Sequence, residues 1–219
     1  MITGAIMDGD TLGEPGVLRM SPEIVKAACD EAHKLGFYVA AHVEGKEGLK
    51  VALENGVDTI EHGAEPDDEI IALFKERKAA LVATISPVMP YSMVDRSITH
   101  FPEVAQRNSE IVRDGIIDCA KACLENGIPV GLGTDVGVDF ITHYDFWREP
   151  VYFQKFCGVS SAFALYSATL GNAQIAGISG ETGSIEAGKC ADLIVVEKNP
   201  LDDLKALRDV KLVCARGRV

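Results

Sequence analysis

Two histidines and an aspartate stand at matching places in this 219-residue chain. Each closes a short apolar run: Phe37 to His42 (FYVAAH), Thr59 to His62 (TIEH) and Pro129 to Asp135 (PVGLGTD). Neutral imidazole and carboxylate are natural ligands for a borderline divalent ion, zinc first among them. An ion held this way acidifies water and polarises a carbonyl, which is hydrolytic chemistry. A lone strand-end histidine is more often a structural hydrogen-bonding group; three metal-competent residues at equivalent positions point to a site. Glu44 and Glu61 flank the histidines. Glu61 falls one residue out of phase with His62 and reads as a structural group turned toward a helix layer.

These residues need elements that bring them together. Strands are expected over 2–7, 37–42, 57–61, 80–85 and 129–134, each preceded or followed by a helical stretch. Ser21-Pro22-Glu23 is a helix start, with a capping Ser, Pro in the first turn and an acid at the positive end. Further helices are expected over 46–54, from Pro66 to about Arg77, and from Pro102 to Glu125; Leu-Glu-Asn-Gly ends two of them, at 53–56 and 124–127. Residues 86–102, with Tyr91, Arg96 and His100, read as a long loop. Alternating strands and helices with short links give a parallel α/β architecture. Apolar strands with polar residues at their carboxyl ends favour a TIM-type (β/α) barrel over an open doubly wound sheet. In a barrel those ends share one face, so His42, His62 and Asp135 would converge. After an aromatic-rich segment, 140–156, the composition changes at Gly180, and 191–196 and 211–215 read as strands. The expected division is a barrel portion over 1–179 and a C-terminal β tail over 180–219.

The totals exclude several classes. The formal net charge is -12 with no basic run, so nucleic acid and anionic membrane are poor partners. No stretch approaches the roughly 20 apolar residues of a membrane span. Met1 to Gly4 lacks a basic signal-peptide start, which leads to a cytoplasmic expectation. Six scattered cysteines without a Cys-x-x-Cys pair are expected as reduced, buried thiols, with Cys119 and Cys123 in a helix core. No glycine-rich phosphate loop follows any strand, and Gly131-Leu132-Gly133 reads as packing space.

Together the motifs resemble the amidohydrolase superfamily, closest to its imidazolonepropionase-like and prolidase-like branch. They are Tyr38-Val39-Ala40-Ala41-His42, Thr59-Ile60-Glu61-His62-Gly63, Gly133-Thr134-Asp135, and the tail from Gly183 to Val196 (GSIEAGKCADLIVV) with Asn199-Pro200-Leu201-Asp202-Asp203-Leu204. The resemblance implies that His42 and His62 end barrel strands five and six and bind metal. It implies that Asp135, after strand eight, binds metal and acts as general base and then acid. His143 and Tyr91 would lie in substrate-contacting loops. The family also carries His-x-His on its first strand and, in binuclear members, a lysine on its fourth; this chain has no His-x-His, and its strand over 2–7 has no lysine. A whole barrel takes roughly 250 residues. The chain therefore resembles the second half of such an enzyme, strands five to eight with part of a small sandwich. The expected activity is hydrolysis of an amide or cyclic amide bond in a small molecule, a dipeptide or N-acyl amino acid, with zinc as cofactor. The alternative is an inert fragment, or one half of a split enzyme that pairs with a missing N-terminal half. Exposed strand edges favour that pairing or a homo-oligomer.

Overall fold

A computed structural model describes residues 1–4 and 11–219. The expected strand over 2–7 is present as β1 (Ile2–Gly4), and positions 5–7 of it lie outside the described residues. The chain forms two compact units, Met1–Val130 and Gly131–Val219.

In the first unit, β1, β2 (Ala40–Val43), β3 (Thr59–His62) and β4 (Ala80–Ala83) alternate with α1 (Pro22–Lys34), α2 (Lys46–Glu54) and α3 (Asp68–Arg77). With β5 (Val130–Leu132), within which the two units divide, they make one five-stranded sheet in sequence order. The first three pairings are parallel, and Leu81 N–H donates to the Pro129 carbonyl at the start of β5 (3.0 Å). The sheet with its helices is the expected α/β class. Its strands are not buried on both faces. Ala41, Val43, Ile60 and Leu81 are buried on one face, while the alternate residues Ala40, His42, Thr59, Glu61 and Val82 are less covered. Phe37 and Tyr38, expected in β2, precede it and are largely exposed.

Helix boundaries follow local chemistry. Asp67 caps α3 by accepting the Ile70 N–H at 2.9 Å. Pro22 opens α1 where no intrahelical N–H is needed. The stretch expected as a loop is instead helical: α4 (Ile85–Met93) and α5 (Arg96–Thr99). Pro87 falls in the first turn of α4 and costs little there, whereas Pro90 lies inside it. Burial outweighs that penalty, since Ile85, Pro87, Val88, Met89 and Pro90 are all buried and α4 packs on α6 (Glu103–Glu125). The buried stripe of α6, Asn108, Val112, Gly115, Ile116, Cys119 and Cys123, keeps helical spacing. Cys119 and Cys123 are core, as read from sequence; Cys29 is also buried, but Cys157, Cys190 and Cys214 are only half-buried.

Residues 11–16 are held in two ways. Backbones cross at glycines: a Cβ on Gly16 would lie 2.6 Å from the Glu44 carbonyl carbon, and one on Gly45 2.4 Å from the Gly16 oxygen. Asn108, fully buried on α6, accepts the Gly13 N–H (2.8 Å) and donates to the Thr11 carbonyl (3.1 Å).

The second unit holds α7 (Arg148–Cys157), α8 (Ser161–Tyr166), a π turn at Ser167–Gly171 and α9 (Asn172–Ile175). A two-stranded antiparallel sheet follows, β6 (Leu193–Val196) with β7 (Val210–Cys214). Asn172 accepts the Leu132 N–H (2.9 Å) and donates to the Leu132 carbonyl (2.8 Å), so its amide stands in for a strand neighbour. A Cβ on Gly131 would lie 2.3 Å from Asn172 Oδ1, which makes that glycine packing space.

Asn108→Ala removes two part-buried hydrogen bonds from a buried side chain and should lower stability by about 2 kcal/mol. Urea unfolding of the two proteins measures this, and a difference under about 0.5 kcal/mol would contradict the anchoring role of Asn108.

Candidate metal centre

His42 and His62 do not sit opposite one another in the sheet. The register pairs His42 with Glu61 and Val43 with His62. A regular pleat would put the two imidazoles on opposite faces. At His62 the backbone turns left-handed, φ 72°, followed by Gly63 at φ 93°. That break in the pleat brings His62 Nε2 to 2.7 Å from His42 Nδ1, the ring centroids 4.4 Å apart. Positive φ at a non-glycine residue costs on the order of 1–3 kcal/mol and persists only where the surroundings enforce it. Here Gly63 N–H donates to the Val43 carbonyl (3.0 Å), and a Cβ on Gly63 would lie 3.0 Å from Cys119 Sγ, so α6 closes over the turn. Glu61 shares the sheet face of His42, not the helix layer expected for it, and its carboxylate accepts from Thr59 Oγ1 at 2.9 Å.

The other nitrogen of His62, Nδ1, is hydrogen-bonded to Thr84 Oγ1 just beyond β4. His62 is 4% exposed, and burial first, then the neighbouring His42, pushes its pKa down to about 3. The ring is therefore neutral near pH 7, as a ligand must be. Glu44, directly after β2 and 7% exposed, places Oε2 3.8 Å from His42 Nε2. Among the described residues, one ligand atom each from His42, Glu44 and His62 lie within 4.8 Å of one another. Two imidazole nitrogens at 2.7 Å can share only one proton between them, and a nitrogen–nitrogen–oxygen set suits a borderline divalent cation. The residues present fit a metal ion.

The remaining expected residues are placed as follows. Asp135 is exposed in the loop after β5, with left-handed φ 48°, and belongs to the second unit. His143 is exposed in that unit's loop before α7. Tyr91 is half-buried on α4, stacked on Phe101 with centroids 4.1 Å apart. From sequence Glu44 was noted only as flanking His42 and given no role, and Thr84 was not singled out. Glu44 sits two residues past His42, a signal available for the first; nothing marks the second, which depends on β3–β4 register.

The chain matches the sequence profile described as "Amidohydrolase family" over residues 2–219. It is similar to the structure of a candidate prolidase from Bifidobacterium longum, 42% identical, with TM-score 0.88 over 91% of this chain and 51% of that one. It also resembles a Xaa-Pro dipeptidase solved with methionine in the active site, 35% identical, TM-score 0.85, covering 94% and 50% of the two chains. The ochratoxinase of Aspergillus niger is 28% identical over 218 residues, 97% of this chain and 43% of that protein. The chain thus spans about half the length of the relatives it matches.

The depressed pKa of His62 has a consequence for acid stability. Between pH 6.5 and pH 3 the unfolded chain binds a proton on His62 that the folded chain does not, so stability is lost as pH falls through that window. In EDTA, lowering pH from 7 to 5 should cost about 2 kcal/mol through this residue. The loss measured by urea unfolding should shrink by that amount in His62→Gln, and an unchanged loss would contradict it.

Proposed function

Because this chain belongs to the amidohydrolase family, we propose that it is the part of a metal-dependent hydrolase that carries His42 and His62 and cleaves an amide or cyclic amide bond of a dipeptide or N-acyl amino acid. The observation that carries the reading is the convergence of His62 Nε2 on His42 Nδ1 at the ends of adjacent parallel strands, with Thr84 behind. Its bond class is supported by relatives named prolidase and Xaa-Pro dipeptidase. In this reading β2 to β5 are strands five to eight of a (β/α) barrel, and residues 180–219 belong to a composite sandwich beside the barrel portion, 1–179.

A divalent ion, most suitably zinc, supplies Lewis acidity toward the scissile carbonyl and toward water. His42, His62 and Asp135 would hold it. Asp135 takes the proton of the attacking water and returns it to the leaving nitrogen. Thr84 fixes the His62 ring through Nδ1, an outer partnership that orients a ligand and raises its basicity. His143 and Tyr91 contact the substrate. The chain has no His-x-His, so the proposal assigns the first-strand histidines and fourth-strand lysine to a second polypeptide segment, an N-terminal half in cis or in trans. Exposed sheet edges would otherwise be covered by self-association. A second reading, an inert fragment, is favoured by the same missing pair. The reaction is placed in the cytoplasm, and neither nucleic acid nor membrane enters the proposal; among the described residues no helix is long and apolar enough to cross a membrane.

The zinc-loaded chain, alone and mixed with the N-terminal half of a relative, is assayed on Xaa-Pro dipeptides and N-acyl amino acids. Turnover in either arm that is lost in Asp135→Asn supports the hydrolase; no turnover in both arms leaves the inert fragment. Light scattering at micromolar concentration should show an oligomer, and a well-behaved monomer would remove the self-association. Thr84→Val should weaken zinc binding about 10- to 100-fold by calorimetry; an unchanged affinity would mean that Thr84 does not orient His62.

A further inference from the structure

We propose that Gly115 and Cys119 of α6 are positioning residues for His62: they clamp the backbone at residues 63–65 and so hold the left-handed turn that aims the imidazole at His42. The proposal deepens the metal-dependent reading above, and rests on it for the ligand role of His62.

Gly115 and Cys119 are four residues apart, so they share one face of the helix. That face meets the chain immediately after β3. A Cβ on Gly115 would lie 3.0 Å from the Glu65 nitrogen and 3.4 Å from Ala64 Cα. Both are main-chain atoms, which cannot swing aside as a side-chain tip can. One helical turn later, Cys119 meets Gly63. A Cβ on Gly63 would lie 3.0 Å from Cys119 Sγ and, toward β4, 3.1 Å from Leu81 Cδ1. Gly63 is thus gripped between α6 and β4. Cys119 and Leu81 are both fully buried, and a close-packed interior transmits a displacement rather than absorbing it.

The turn needs support from outside its own strand. The register of β3 with β4 runs from Thr59 to Glu61 and stops before His62. His62 and Gly63 then take φ of 72° and 93°, where a regular pleat would carry the imidazole to the other face. Thr84 holds the ring through Nδ1, but it acts on the side chain and not on the backbone. A helix interior favours Ala over Gly, so a glycine at 115, midway along a 23-residue helix, is a local cost. The close approach to Ala64 and Glu65 explains it.

NMR of the isotope-labelled whole chain in EDTA tests this, through the NOE between the ring protons of His42 and His62. The unaltered chain should show it, since the ring centroids are 4.4 Å apart. Gly115→Ala and Cys119→Leu add volume at the clamp, and each should weaken the NOE by about threefold or more. Cys119→Ala, which fits the existing space, and Lys121→Ala, on the exposed side of the same helix, should leave it unchanged. A helix that only stabilises the fold would lower the unfolding midpoint in the first two variants and keep the ring contact. That result in either folded variant overturns the proposal, as does loss of the NOE in Lys121→Ala or Cys119→Ala, or its absence from the unaltered chain. If Cys119→Leu does not fold by circular dichroism, Gly115→Ala decides, a single methyl being the milder change. The hydrolase reading fails separately, on turnover with the N-terminal half supplied.

Discussion

The site depends on one backbone distortion. Strand pairing sets His42 beside Glu61, and without the left-handed turn at His62 the two imidazoles would be divided by the sheet. That turn is strained for a side-chain-bearing residue, and it is maintained from outside the strand. Gly63 supplies the second left-handed residue, the Val43 carbonyl accepts the Gly63 N–H, and a Cβ there would be tight against Cys119 on α6. The long helix is thus part of the site's support although none of its residues is a ligand. The histidine pair is a consequence of α6 packing as much as of β3.

Most of the architecture was legible from residue patterns. Helix 46–54 and the helix ending at Glu125 fall where Leu-Glu-Asn-Gly places them, because Asn-Gly ends a helix and an apolar run follows at once. The segment 86–102 was not legible: three prolines within 16 residues argue for irregular structure, and only burial against α6 overrides them. The histidines were found from their strand-end positions, but the assumption of equivalent placement was too simple. His42 lies within its strand and His62 at the left-handed end of the next. Glu61 was misdirected for the same reason, since phase was counted from His62, the residue that breaks it. Thr84 could not have been reached, because a hydroxyl brought in by the neighbouring strand's register has no sequence signature.

The acidic balance of the chain does not extend to the pair of histidines themselves. His62 is shielded by burial and held through Nδ1 by Thr84, and the Glu44 side chain lies at the edge of the pair, 3.8 Å from His42. A neutral, desolvated imidazole is a poor place for a proton and a suitable nitrogen donor for a doubly charged ion.

Asn172 has a bearing on how the sheet can grow. Its amide occupies both hydrogen-bonding groups of Leu132, the last residue of β5. Pro129 faces β4, and alternate residues of a strand direct their backbone groups to opposite sides, so Leu132 directs its own to the outer edge of the five-strand order. A strand joining there can pair only ahead of Leu132. The side chain works as a stop that fixes the register of any newcomer and blunts this edge against indiscriminate β-aggregation.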